Sequence, residues 1–74
     1  MNAEIRDPDG FEPDDAPYWR AGRGFPFANP RVVVRDGGIF FIESPLPARD
    51  AEAAKEVSDA VLSAAAFLQR DGEL

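Results

Sequence analysis

The sequence predicts a small α+β domain, a β-hairpin packed against one C-terminal α-helix and preceded by an irregular, acidic, proline-rich N-terminal arm. Three observations predict it. Between Arg31 and Glu43, RVVVRDGGIFFIE places two β-branched and aromatic runs on either side of Asp36-Gly37-Gly38, the strongest short-range signal for a hairpin. From Asp50 to Asp71 the apolar residues recur with helical period, so this segment is the natural lid for a hairpin that cannot stand alone in water. Residues 1–17 hold Pro8, Pro13, Pro17 and Gly10 among acids, a composition that favours an arm disordered when isolated. The remainder, 18–74, forms one β-β-α domain.

After the arm, Tyr18 to Pro30 sustains neither strand nor helix period. Its sequence, YWRAGRGFPFANP, is expected to form an ordered aromatic loop, with a short edge strand around Phe25 to Phe27, where proline is tolerated. Its rings either pack on the sheet or offer a contact surface, for which Tyr18 and Trp19 are the apolar candidates.

The hairpin's register follows from parity. A two-residue turn would group Val32, Val34, Ile39 and Phe41 with Glu43. A three-residue Asp36-Gly37-Gly38 loop with Gly38 left-handed groups Val32, Val34, Phe40 and Ile42 on one apolar face and sets Arg31 opposite Glu43; this second register is expected. Its other face, with Val33, Ile39 and Phe41 in the middle, also requires cover, from the aromatic loop or from a second subunit.

Pro45 and Pro47 end the second strand, because neither can donate to a ladder. Asp50 then caps a helix at about 51–71, with Glu52 and Glu56 near its positive end, Arg70 near its negative end and Gly72 as its stop. Ala53, Ala54, Val57, Ala60, Val61, Ala64, Phe67 and Leu68 form the stripe expected to face the sheet. Glu52, Lys55, Glu56, Asp59, Ser63 and Arg70 occupy the opposite side, interrupted by Leu62 and Ala66, which form a second candidate apolar contact.

Composition narrows the function classes. The 74 residues contain no cysteine and no histidine, which removes disulfides, thiolate metal sites, the commonest zinc ligand and the usual general base. Ser44, Ser58 and Ser63 therefore have no histidine beside them, and Lys55 lies on the polar helix side, so no nucleophilic constellation is expected and the chain reads as non-enzymatic. Asp7-Pro8-Asp9-Gly10 lacks the later ligands of a calcium loop, and Arg20-Ala21-Gly22-Arg23-Gly24 is a single Gly/Arg occurrence whose arginines are assigned to neighbouring acids. No metal or other cofactor is expected. No apolar run reaches membrane-spanning length and the first ten residues are acidic, so a cytoplasmic protein without membrane contact is expected.

The net charge of -6 is unevenly placed along the chain. Residues 1–15 hold six acids against Arg6, residues 16–37 four arginines against Asp36, and residues 38–74 seven acids against three bases, or -5, +3 and -4. Such a balance disfavours direct binding of nucleic acid and favours a protein partner with a basic surface. Glu52, Glu56 and Asp59 on successive helical turns, together with Asp14 and Asp15 of the arm, are the acidic contact candidates, since carboxylates at that spacing approximate a phosphate backbone. In size and composition the chain is similar to small virus-encoded inhibitors of host defence, the anti-CRISPR and anti-restriction proteins, which implies a nucleic-acid mimic. The alternative is a homo-oligomeric assembly protein, a homodimer in its simplest form, that uses the hairpin and the aromatic loop as its interface.

Overall fold

The computed structural model describes residues 4–21, 29–43 and 49–72. The expected edge strand at Phe25 to Phe27, the Gly22-Arg23-Gly24 step and the strand-ending prolines Pro45 and Pro47 lie outside those residues. The chain forms a four-stranded antiparallel sheet packed against one helix: β1 (Gly10–Phe11), β2 (Pro17–Arg20), β3 (Arg31–Arg35), β4 (Gly38–Ile42) and α1 (Ala51–Gly72). Strand order in the sheet follows chain order. The expected hairpin is β3–β4 and the expected helix is α1.

Two further strands come from the stretch read as arm and loop. Pro17 and Tyr18, on either side of the expected domain boundary, are consecutive residues of β2. β1 and β2 are joined by a tight reversal in which the Glu12 carbonyl accepts from the Asp15 amide at 2.8 Å and the Glu12 amide donates to the Ala16 carbonyl at 2.8 Å. Pro13 enters that turn at the position where its fixed φ is an advantage, and Asp15 closes it at a φ of 68°. A three-residue loop with a left-handed third residue, expected at the β3–β4 turn, is found here instead.

The β3–β4 register corrects that expectation. Arg35 pairs with Gly38, Val34 with Ile39, Val33 with Phe40, Val32 with Phe41 and Arg31 with Ile42, so the turn is the two residues Asp36-Gly37. Asp36 at a φ of 52° and Gly37 at 75° are both left-handed, the pattern of the turn whose twist matches that of the flanking strands. Val32, Val34, Ile39 and Phe41 therefore share the face toward α1, and Phe40 and Ile42 lie on the other. A wholly apolar strand face proved a poor guide to register because β4 is at the sheet's edge, where large side chains stay half-exposed on both faces. Arg31 still meets Glu43, with Nη1 to Oε2 at 3.5 Å, because Glu43 turns out of the strand at a φ of 53°.

The core lies between α1 and this inner face. Trp19, Ala21, Val32, Val34, Ala60 and Ala64 are buried together, with Ile39, Val61, Phe67 and Leu68 packed around them. Ala60 and Ala64 stand one helical turn apart, and their small side chains admit the Trp19 indole, whose ring meets Phe67 edge-on at 5.7 Å. Asp50 caps the helix as expected: its carboxylate accepts from the Ala53 amide at 2.8 Å, and its carbonyl accepts from the Ala54 amide at 3.0 Å. Ala54, expected on the buried stripe, is exposed, whereas Asp59 and Ser63, expected on the solvent side, are buried. The inward-facing sector of α1 is therefore offset toward Asp59 and Ser63.

Replacing Gly37 tests the turn. Gly37→Ala is expected to lower unfolding free energy by about 1–2 kcal/mol, because alanine pays the left-handed penalty in full, whereas Gly37→Asn should cost much less. Urea denaturation followed by circular dichroism measures both.

Candidate functional site

Residues Glu4 to Arg6 run between α1 and β2, and among the described residues no strand lies beside them to pair their backbone. Side chains do so instead. The Glu4 amide donates to Asp59 Oδ1 at 3.0 Å, and the Glu4 carbonyl accepts from the Ser63 hydroxyl at 3.2 Å. Two residues on, the Arg6 amide donates to Ser63 Oγ at 3.1 Å and the Arg6 carbonyl accepts from Trp19 Nε1 at 3.0 Å. Asp59 and Ser63, four residues apart on α1, thus stand one above the other and serve an extended chain of period two. That use buries them, Asp59 to 5% exposure and Ser63 to 1%.

The same stretch secures the end of β2. The Arg20 amide donates to Asp9 Oδ2 at 2.8 Å, and the Arg20 carbonyl accepts from Arg6 Nη2 at 3.1 Å. Arg6 and Asp9 are themselves ion-paired at 3.1 Å. Burial opposes ionisation of Asp9, but hydrogen bonds from Arg6 and from the Arg20 amide, and the charges of both arginines, outweigh it and hold its pKa below the ordinary value. Asp7-Pro8-Asp9-Gly10 is thereby part of the sheet's edge. The Tyr18 ring lies across Gly10: a β-carbon there would come within 2.6 Å of the Tyr18 hydroxyl, so a larger residue would have to displace the ring.

Between this stretch, β2 and the first half of α1 lies an open cleft of about 630 Å³, lined by Glu4, Arg6, Asp9, Arg20, Glu52, Lys55, Glu56 and Asp59. Five carboxylates face three cations across it. Lys55 Nζ donates to Asp59 Oδ2 at 2.7 Å. That bond, first, and the Glu4 amide, second, hold the Asp59 carboxyl below its ordinary pKa, and the same bond raises that of Lys55.

The predicted site residues divide accordingly. Asp59 is a structural acceptor inside the fold, and Trp19, at 0% exposure, is core; neither is available as a partner contact, because each is consumed by the packing of Glu4 to Arg6 on α1. Glu52 is exposed, Glu56 is half-buried, and both line the cleft. Asp14 and Asp15 lie away from it in the β1–β2 turn, both exposed. Asp14 receives Arg35 at 2.8 and 3.2 Å, and that hydrogen-bonded pairing holds the Asp14 carboxyl low and raises the Arg35 pKa. Tyr18 is half-buried over Gly10, Leu62 is exposed and Ala66 is half-buried one turn further along α1. Arg6 and Ser63 are contributors that sequence reasoning missed, whereas Glu4 belongs to the arm's acids, expected as part of the acidic surface. The available signal was the Asp59/Ser63 pair flanking Ala60 and Ala64, polar groups four apart beside the smallest part of the apolar stripe.

Among the described residues, no group of three or more acidic side chains is arranged to hold a metal ion, and no helix is long and apolar enough to cross a membrane. Comparison with protein-family models, with curated proteins and with solved structures finds no match to this chain.

Two measurements check the anchoring of Glu4 to Arg6. Ser63→Ala leaves the Arg6 amide and the Glu4 carbonyl without their partner and should cost about 1–3 kcal/mol in urea denaturation. For Asp59 the folded pKa lies below its ordinary 3.8, so its contribution is present above that value and is lost as pH falls through the lower, folded value. Stability of the wild type should therefore fall more steeply than that of Asp59→Asn as pH is lowered from about 5 to about 2.

Proposed function

We propose that this protein is a non-enzymatic binding module of the cytoplasm whose acidic cleft engages a basic surface on another protein, one built to hold nucleic acid, and so acts as a nucleic-acid mimic of the inhibitor type. The observation that carries the reading is the meeting of Glu4 with Glu52 and Glu56 around one cleft: carboxylates far apart in sequence converge on it, while Glu12 and Asp14 are drawn to Arg31 and Arg35 elsewhere on the sheet. Five carboxylates against three cations leave the cleft with a local excess of two negative charges, in a chain of -6 overall. A lysine or arginine of a partner entering the cleft would meet fixed carboxylates on a rigid helix and on an extended backbone anchored to that helix. Such geometry favours fast, charge-steered association. A phosphate polymer would meet repulsion.

The experiment is affinity capture from the native host at low and high salt, with the retained proteins identified. A nucleic-acid-binding protein held at about 0.1 M salt and released at about 1 M, where the Debye length has shrunk from about 10 Å to about 3 Å, is the expected result. Glu4→Gln, Glu52→Gln and Glu56→Gln combined should abolish retention; Asp59 is left intact so that the fold is preserved. Retention that survives both high salt and the triple change would contradict the proposal.

A further inference from the structure

β4 is an open edge. Among the described residues its one strand neighbour is β3, and from Gly38 to Ile42 it carries neither charge nor proline, the usual guards of an exposed edge. In a two-residue hairpin the pair flanking the turn, here Arg35 and Gly38, is the hydrogen-bonded one, and the pattern alternates along the ladder. Gly38, Phe40 and Ile42 therefore turn their backbone groups toward β3, and Ile39 and Phe41 turn theirs outward. Phe40 and Phe41 are 48% and 47% exposed, one on each face of the sheet.

We propose that β4 pairs antiparallel with β4 of a second copy of this chain, about a two-fold axis at Phe40, so that the two sheets become one. The register follows from parity and from one backbone angle. Outward-facing residues must pair with outward-facing residues, which leaves three arrangements. Centring on Ile39 sets Phe41 opposite the turn residue Gly37 of the second copy, and centring on Phe41 sets Ile39 opposite Glu43, whose φ of 53° takes it out of extended geometry. Centring on Phe40 pairs Ile39 with Phe41 of the second copy, and Phe41 with its Ile39, using every outward amide and carbonyl of both strands. The two Phe40 side chains then form a close pair without backbone hydrogen bonds between them, β-carbons about 4.5–5.5 Å apart on the outer face, and on the helix face Ile39 lies beside Phe41 of the second copy. Both half-exposed rings are covered by one operation. No charge comes opposite a like charge within Gly38 to Ile42, and Glu43 at the strand's end is already answered by Arg31.

This association is independent of the acidic cleft and differs from it in salt dependence. Two copies of charge -6 repel, so screening strengthens the dimer whereas it weakens a charge-steered complex. Sedimentation of the full chain at micromolar to submillimolar concentration should show a monomer–dimer equilibrium that shifts toward dimer as salt is raised. Phe40→Lys and Phe40→Glu each set like charges opposite one another and should raise the dissociation constant about tenfold or more, while an equimolar mixture of the two should dimerise again. Phe41→Pro removes a donor that faces away from β3; it should be monomeric, with a circular dichroism spectrum like the wild type's. A wild type monomeric throughout that range, a dimer indifferent to Phe40→Lys and Phe40→Glu, or a folded Lys and Glu mixture that stays monomeric would each overturn the proposal.

Discussion

The fold depends on how the backbone of Glu4 to Arg6 is paired. Amide and carbonyl groups taken from water must find partners, and among the described residues no strand lies beside this stretch of chain on α1 to supply them. Asp59, Ser63 and Trp19 supply four bonds between them, two to Glu4 and two to Arg6. Each of the three also contributes to packing: Trp19 fills the space between sheet and helix that Ala60 and Ala64 leave, and Asp59 and Ser63 stand beside those alanines on α1. The indole is thus fixed at both its apolar body and its N–H, and the helix cannot rotate without breaking the bonds to the N-terminal stretch. A chain of this size has a core too small to be indifferent to such a loss.

That anchoring also shapes the electrostatics. Along the sequence the charge runs -5, +3 and -4, but in space the blocks interpenetrate. Glu12 reaches Arg31 at 2.7 Å with both side chains largely covered, Asp14 reaches Arg35, and Asp9 answers Arg6 at the sheet's edge. Glu12 and Asp14 of the β1–β2 turn hold that turn against β3. Around the cleft five carboxylates meet three cations, and Glu4 is brought to Glu52 and Glu56 there because its own amide is held by Asp59. Structure and proposed function meet at that point: release of Glu4 from α1 would remove one wall of the cleft together with its carboxylate.

The parts legible in the sequence were those decided locally. Asp50 three residues before Ala53 specifies a helix start through its own hydrogen bond, and Asp36-Gly37 specifies a reversal because both residues accept left-handed angles. Register was decided by the turn's twist and by β4 lying at an edge, neither of which the greasiness of a face reports. The strands at Gly10–Phe11 and Pro17–Arg20 are two and four residues long and carry or adjoin prolines and glycine, so neither is long enough for a local period to announce it. The sequence places Asp59 and Ser63 toward solvent because a polar side chain on a helix ordinarily faces it. Only an extended backbone arriving from 55 or more residues away makes burial their cheaper state. Of the two uses open to the aromatic rings, Trp19 takes the first and packs on the sheet; the acceptor its N–H requires, the Arg6 carbonyl, is what the sequence does not reveal.

The most direct test of this account is native-state hydrogen exchange at the Glu4 and Arg6 amides. If Asp59 and Ser63 hold them as described, both should exchange only in global unfolding, with protection equal to that of the core amides of β3, and Ser63→Ala should free the Arg6 amide selectively. Exchange of both amides in the wild type at the rate of an unstructured peptide would contradict the account, and with it the cleft that depends on Glu4.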